Sequence, residues 1–200
     1  LMEGRSLRDR LDRERQLPLD EALRITREVA SALDYAHRHQ VVHRDVKPAN
    51  VLFDLTTRLA VLTDFGLARA PDAQASRSGV LLGSPVYMAP ELLAGQPPDA
   101  QSDLYALGVL TYELLAGRPP FVSDGGNVGA LILRALTEPP PPMATAWSRV
   151  VPELEQSIAK AMAKAPADRY QTAADMRQAL LAVVATSRDR VAVRRPLTRP

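Results

Sequence analysis

The 200-residue sequence contains no cysteine, so disulfides, thiolate metal sites and cysteine nucleophiles are excluded. Aromatic residues make up only 4% of the chain, and the formal net charge is +2. A charge balance this small gives no argument for nucleic-acid binding. No apolar run approaches the roughly 18 residues of a membrane span, and no signal-peptide pattern opens the sequence. Because 46% of the residues are hydrophobic, we expect one globular domain with a sizeable core.

Four polar residues suited to phosphoryl transfer lie close together in the sequence. They are Asp45, Lys47, Asn50 and Asp64, within the segments HRDVKPAN and TDFG. This set offers one carboxylate for a proton and one ammonium for phosphate charge. It also offers a carboxylate and an amide oxygen for Mg²⁺, which prefers hard oxygen ligands. The stretch from residue 43 to residue 66 is therefore predicted to be a phosphoryl-transfer centre.

Short β-prone runs bracket these polar residues. The runs are apolar, include β-branched or aromatic residues, and lie at 41–42, 51–53 and 59–62. A polar turn at 54–58 separates the last two. Pro48 disfavours helix at the residue before it, which keeps the polar loop extended. Gly66 gives the chain freedom to turn after Asp64.

Three motifs in this order resemble those of a eukaryotic-type (Hanks-type) serine/threonine protein kinase of bacterial style. HRDVKPAN resembles the catalytic loop, TDFGLA the metal loop, and GSPVYMAPE at 83–91 the substrate-docking segment. Asp45 and Asp64 are nineteen positions apart, and Asp64 and Glu91 twenty-seven. The resemblance implies an α+β, mainly α fold. It would be a kinase-like C-terminal lobe with a small β-hairpin at the active site and no N-terminal lobe.

The resemblance also implies a role for each matching residue. Asp45 would accept the substrate hydroxyl proton, and Lys47 would neutralise the γ-phosphate of ATP. Asn50 and Asp64 would hold Mg²⁺, and Leu52 would lie under the adenine ring. Lys47 followed by proline resembles the Ser/Thr branch of the family, so the expected substrates are proteins with Ser or Thr acceptors.

Further residues match positions that support the site in the family. His43 and Phe65 would pack beside it, Asp103 would hydrogen-bond the catalytic-loop backbone, and Ser84 would belong to the substrate-docking segment. Glu91 would pair with Arg169. For Asp103, capping of its own helix is an alternative that is compatible with the first role.

The segment 70–80 is rich in small and polar residues and resembles an activation loop. Ser76 and Ser78 are candidate phosphorylation sites, and Arg44, beside Asp45, is the cation that would pair with the phosphate. The alternative is a solvated loop whose serines have no role.

The first residues match only the far end of the hinge that joins the two lobes of such kinases. Ser6 would either touch the ribose or cap a helix. The phosphate-covering loop and the strand lysine of the family have no counterpart in the 200 residues. We therefore expect very weak ATP binding and no kinase activity from residues 1–200 alone.

Apolar periodicity predicts helices downstream as well as upstream of the polar loop. One is expected over 20–39 and a nearly all-apolar one over 101–116, followed by a shorter one over 128–136. Pro152 is expected to open a further helix, and the sequence from Thr172 to Asp175 resembles a capping box for the last one.

Residues 1–186 are predicted to form the lobe, and 187–200 a flexible basic linker rich in arginine and proline. We expect a cytoplasmic protein, placed at the cytoplasmic face of a membrane if a span follows the linker. Self-association is expected through phosphorylation or through an exposed inter-lobe face. Two alternatives stay open, a non-catalytic kinase-like scaffold and a small-molecule phosphotransferase. The docking-like segment GSPVYMAPE argues against the second.

Overall fold

The computed structural model describes residues 6–54, 56–65, 85–122, 127–143 and 152–193, with side chains up to residue 183. Seven α-helices and one two-stranded antiparallel sheet lie in these ranges. In chain order they are α1 (Leu7–Glu14), α2 (Leu19–Arg38), β1 (Val51–Phe53), β2 (Ala60–Leu62), α3 (Pro90–Leu93), α4 (Ala100–Ala116), α5 (Val128–Thr137), α6 (Pro152–Ala161) and α7 (Ala173–Val193). The mainly helical α+β class predicted from the sequence is confirmed. Within the part of the chain that is described, every helix is too short or too polar to cross a lipid bilayer.

Helix α4 forms the centre of the hydrophobic core. Its residues from Ser102 to Leu115 are all buried, as its nearly continuous apolar sequence predicts. Asp99 caps its N-terminus by accepting the Ser102 N–H, and Gly117 ends it in the left-handed conformation (φ 75°) that glycine adopts without strain. Helices α2 and α6 pack against it, and α7 packs against α2 and α6 within the same core.

Close backbone contact fixes the spacing between α4 and α6. A Cβ atom placed on Gly108 would lie 2.9 Å from Met162 Cγ and 3.0 Å from Ala161 Cβ. These distances are too short for ordinary packing, so the two helices approach as closely as they do only because position 108 has no side chain.

The other predicted helices are also found, with small shifts at their ends. Helix α2 begins and ends one residue earlier than predicted, and α5 extends one residue further. Pro152 opens α6 as expected. The Thr172 hydroxyl accepts the Asp175 N–H at 3.1 Å while the Asp175 carboxylate accepts the Thr172 N–H at 3.2 Å, which confirms the capping box before α7.

Two local predictions are wrong. Residues 41–42 are not a strand, because the Val41 N–H donates to the Ala36 carbonyl and the segment serves to end α2. Helix α7 continues to Val193, so the segment predicted as a flexible linker from residue 187 is helical in its first half. Residues 194–200 lie outside the described ranges.

Glu91 and Arg169 form the predicted ion pair in the interior. Arg169 Nη1 and Nη2 each donate to one Glu91 carboxylate oxygen at 2.7 Å, and both side chains are almost fully buried. The guanidinium also donates to the carbonyls of Gln101, Ala163 and Lys164 and lies over the Tyr105 ring. Through these contacts one side chain joins α3 to α4 and to the turn between α6 and α7.

Replacing Glu91 by alanine should lower the free energy of unfolding by about 3–5 kcal/mol, because the Arg169 charge would stay buried without its carboxylate. Urea denaturation of the purified chain measures this. Glu138→Ala, which breaks an exposed pair with Arg134 on α5, is the matched control and should cost about 1 kcal/mol or less. Equal effects of the two substitutions would contradict the structural role of the buried pair.

Candidate active site

The β1–β2 hairpin brings Asn50 and Asp64 to the same end of the sheet. Val51 pairs with Leu62, and just beyond this pair the Thr63 N–H and hydroxyl both donate to the Asn50 carbonyl at 2.9 and 3.1 Å. Asn50 therefore precedes β1 and Asp64 follows β2 by two residues. The stretch of sequence between Asn50 and Asp64 is therefore one hairpin, which brings its two ends together.

The Asp45 carboxylate lies between the two other polar residues of the catalytic-loop motif. Lys47 Nζ is 2.6 Å from Asp45 Oδ2, and Asn50 Nδ2 donates to the same oxygen at 2.9 Å and to the Asp45 carbonyl at 2.8 Å. Lys47 has an extended backbone, as Pro48 dictates, and residues 48–50 form a 3₁₀ turn that carries Asn50 back towards Asp45. The structure thus brings Asp45, Lys47 and Asn50 together.

Asp103 of α4 anchors the backbone immediately before Asp45. Its Oδ2 accepts the His43 N–H at 2.8 Å and its Oδ1 accepts the Arg44 N–H at 2.8 Å. His37 Nε2 lies 2.8 Å from the same Oδ2. Asp103 is 1% exposed, so these groups satisfy a carboxylate that water does not reach. The contact expected for Asp103 is present. The alternative role, capping of α4, belongs to Asp99.

His43 is a buried support of the loop, in the position expected for it. Its Nδ1 accepts the Asp45 N–H at 3.2 Å, so its Nε2 must carry the proton that is donated to the Thr63 carbonyl at 2.7 Å. Its ring packs edge-on against Phe65, with ring centres 4.7 Å apart. One imidazole therefore joins the segment that carries Asp45 to the segment that carries Asp64.

Two residues of the site have left-handed backbone conformations. They are Arg44 (φ 72°) and Asp64 (φ 64°), neither of which is glycine. Such conformations cost on the order of 1–3 kcal/mol each and persist only where surrounding contacts hold them. At Arg44 the contact is the bond from its N–H to Asp103. Arg44 is exposed to solvent.

Ser6 and Leu52 meet at the other side of the hairpin. Ser6 forms an isolated antiparallel bridge with Leu52, which is partly buried on β1. Ser6 is also the N-cap of α1, in a reciprocal capping box with Asp9. Of the two roles weighed for Ser6, helix capping is thus observed.

A buried polar network that sequence reasoning missed connects α1, α4 and the segment before α3. Glu113 accepts from Arg8 Nη1 at 2.8 Å and from the Tyr87 hydroxyl at 2.5 Å. Burial raises the pKa of Tyr87 well above its usual value, and the Glu113 carboxylate adds to this shift, so the phenol stays a neutral donor. The only signal in the sequence was one glutamate inside an otherwise apolar helix. Tyr87 lies within the motif that resembles a docking segment.

Several predicted residues fall outside the described ranges. These are Ser76, Ser78, Ser84 and Gly66.

The residues at the hairpin end fit a hard divalent cation. Because the amide nitrogen of Asn50 is bound to Asp45, its amide oxygen is the atom left for a cation, and Asp64 is an exposed carboxylate. No group of three or more His, Cys, Asp or Glu side chains that could hold a metal occurs in the described ranges. A site with so few protein ligands is typical of Mg²⁺ bound together with substrate phosphates.

Replacing Asp103 by asparagine should loosen the catalytic loop, because an amide group cannot accept all three of the donors that now face the carboxylate. We expect a loss of about 1–3 kcal/mol in the free energy of unfolding for each N–H left without an acceptor. Faster amide exchange at residues 43 and 44 should accompany it. Asp99→Asn is the control on the same helix and should change little, since asparagine caps helices as well as aspartate. Parent-like exchange in Asp103→Asn would contradict the anchoring role.

Comparison with known proteins agrees with this geometry. The family model described as "Protein kinase domain" matches residues 1–181. The chain is 44% identical over 179 residues to the serine/threonine-protein kinase PkaB of Streptomyces coelicolor, covering 86% of this chain and 42% of the relative. It is 37% identical over 185 residues to PknB of Mycolicibacterium smegmatis, covering 91% of this chain and 29% of the relative.

A solved structure, the PknI kinase domain of Mycobacterium tuberculosis, superimposes with a TM-score of 0.70 at 32% sequence identity. That match covers 91% of this chain and 63% of the solved chain. The chain spans less than half the length of the two curated relatives it matches. The catalytic-loop geometry, the family model and these relatives together show that the chain belongs to the protein kinase domain family.

Proposed function

We propose that this chain is the C-terminal lobe of a kinase that transfers the γ-phosphoryl group of ATP to Ser or Thr residues of proteins. The observation that carries the proposal is the Asp45 carboxylate, with one oxygen bound by Lys47 and Asn50 and with its backbone bound to His43. Oδ1 of Asp45 is then the oxygen that remains for a substrate hydroxyl. The names of the relatives PkaB and PknB, both serine/threonine-protein kinases, support this choice of reaction.

Asp45 is proposed to orient the acceptor hydroxyl and to accept its proton during transfer. Lys47, whose ammonium is 2.6 Å from Asp45 in this structure, is proposed to bind the transferred phosphate as well. Asn50 and Asp64 would hold Mg²⁺, which when bound neutralises charge on the phosphates of ATP. Leu52, next to Ser6, would contact the adenine. Most of the catalysis in such a site is positioning and electrostatic stabilisation rather than covalent chemistry.

The peptide substrate is proposed to dock on the segment from Ser84 to Glu91. Tyr87 is held by Glu113, and Glu91 by Arg169, so two points in this segment are fixed to the helical core. A rigid platform of this kind has a purpose for a protein substrate and none for a small phosphate acceptor. It therefore favours a protein kinase over a small-molecule phosphotransferase.

In an enzyme that joins this chain to an N-terminal kinase lobe, Asp45→Asn and Asp64→Asn should each reduce peptide phosphorylation at least about 100-fold. The first removes the proton acceptor and the second a charged ligand of the cation. Transfer of radiolabel from ATP to a Ser/Thr peptide measures the loss. Asp54→Asn, in the turn of the same hairpin, is the control and should keep parent activity. Turnover like the parent's in either variant would contradict the assignment.

Regulation through residues 70–80 is also proposed, because the exposed Arg44 lies next to Asp45 and its backbone is fixed by Asp103. A phosphate on Ser76 or Ser78 would gain a charge-assisted pair with that guanidinium. Mass spectrometry after incubation with ATP should find phosphate between residues 70 and 80. A Ser76→Ala/Ser78→Ala variant should lose activity, as should Arg44→Ala. An active preparation that is unmodified there would contradict this proposal.

A further inference from the structure

The outer edge of strand β2 presents a backbone donor that no strand binds. The Asp54 N–H donates to the Leu59 carbonyl, and the Thr63 N–H donates to the Asn50 carbonyl. Positions 54 and 63 therefore face the partner strand, and by the alternation of an antiparallel ladder the Ala60 N–H faces away from β1. Edge N–H groups such as this one need another acceptor when they are shielded from water.

Glu28 on α2 supplies that acceptor. Its Oε2 accepts the Ala60 N–H at 2.7 Å, and Ala60 itself is 7% exposed. Arg24, one turn earlier on α2, donates from Nη1 to both oxygens of Glu28 at 2.9 and 3.0 Å and to the carbonyl of Arg58 at 3.2 Å. Two adjacent side chains of one helix thus bind backbone atoms on both sides of Leu59.

Helix α1 contacts the partner strand β1 at the residue that pairs with Ala60. Phe53, which pairs with Ala60, lies under the guanidinium of Arg10 at 5.6 Å from the ring centre. Arg10 binds both carboxylate oxygens of Glu21 at 2.5 and 2.7 Å, and Glu21 is 3.6 Å from Arg24. A continuous chain of charged side chains from α1 and α2 therefore contacts both strands at the outer end of the hairpin, opposite to the end that carries Asn50 and Asp64.

The hairpin depends on such support because it is small. Each strand has three residues, and in the described part of the chain the sheet has two strands. A two-stranded hairpin of this size has little stability of its own. Its inner end nevertheless has to hold Asp64 in a left-handed conformation and Asn50 at a fixed distance from Asp45.

We propose that Glu28, oriented by Arg24, is a positioning residue for phosphoryl transfer. By binding the Ala60 N–H it fixes the hairpin against α2, and this sets where the oxygens of Asn50 and Asp64 lie relative to Asp45. The inference rests on the proposed kinase function. The alternative is that Arg24 and Glu28 form an ordinary surface i,i+4 ion pair. Such a pair would contribute little to stability and nothing to the reaction.

The first test measures the contact itself by amide hydrogen exchange, without any need for activity. Glu28→Ala should make the Ala60 amide exchange about 10-fold to 100-fold faster, as expected for the loss of a bond to a charged acceptor. Glu28→Gln keeps an oxygen that can accept the same N–H and should restore most of the protection. Asp34→Ala is the matched control on α2, since it breaks another i,i+4 pair of that helix, with the exposed Arg38. Unchanged Ala60 exchange in Glu28→Ala would overturn the inference.

The second test measures kinetics in the two-lobed enzyme. Glu28→Ala should lower kcat/KM for Mg-ATP by about 10-fold to 100-fold, the range typical for groups that orient metal ligands without touching the metal. It should also raise the Mg²⁺ concentration needed for half-maximal rate, while KM for the peptide stays unchanged. Glu28→Gln should recover most of the activity, and Asp34→Ala should behave as the parent. A merely structural residue would instead lower the fraction of active enzyme and leave the Mg²⁺ requirement unchanged.

The outcomes separate this inference from the function on which it rests. Phosphate transfer by the parent with parent-like kinetics in Glu28→Ala overturns the inference and leaves the proposed function standing. No transfer by the parent overturns both. If Glu28→Ala does not yield folded protein, Arg24→Met, which removes the bond to the Arg58 carbonyl and keeps Glu28, takes its place. A folded Arg24→Met variant with parent Mg²⁺ dependence would then overturn the inference.

Discussion

The site depends first on one buried carboxylate. Asp103 is buried in the first turn of α4, and it binds the backbone of His43 and Arg44 just before Asp45. A buried charge of this kind is tolerated only because its acceptor capacity is filled by donors from the loop and from His37. The buried helix α4 and the position of the reactive carboxylate are therefore parts of one arrangement.

Around this anchor the site is assembled from short segments that would not be ordered alone. The His43 ring links the loop of Asp45 to the residue before Asp64, and the Asn50 amide links the loop to the first strand. At the far end of the hairpin, Glu28 on α2 accepts the Ala60 N–H. Backbone groups of the site are thus satisfied by side chains from two long helices, and this lets an irregular stretch of chain keep a strained geometry.

Much of this was predictable because the information is local in the sequence. The β-prone runs on both sides of the turn at 54–58 and the effect of Pro48 on Lys47 predicted a hairpin and an extended loop, and both are present. Local propensity fails at residues 41–42. This β-branched pair predicted a strand, but the Val41 N–H binds the last turn of α2.

Long-range polar contacts left almost no trace in the sequence. Arg8 and Tyr87 reach Glu113 across 105 and 26 positions, and only the charge of Glu113 within an apolar helix marked it as unusual. Glu28 looked like any residue on the solvated face of α2, because its partner is a backbone N–H that has no identity in the sequence. Arg169 and Glu91 were found only because the motif resemblance specified both of them.

The contact at Gly108 has a consequence for how this lobe can diverge in sequence. Where two helices meet through side chains, compensating substitutions can change the spacing gradually and keep the core filled. Here α4 and α6 touch almost at the backbone, so even one added methyl group would separate them. Helix α6 leads into the turn of Arg169, and α4 carries Asp103, so such a separation would be felt at both the ion pair and the catalytic loop. The position of the helical scaffold relative to the reactive residues therefore depends on residue 108 having no side chain.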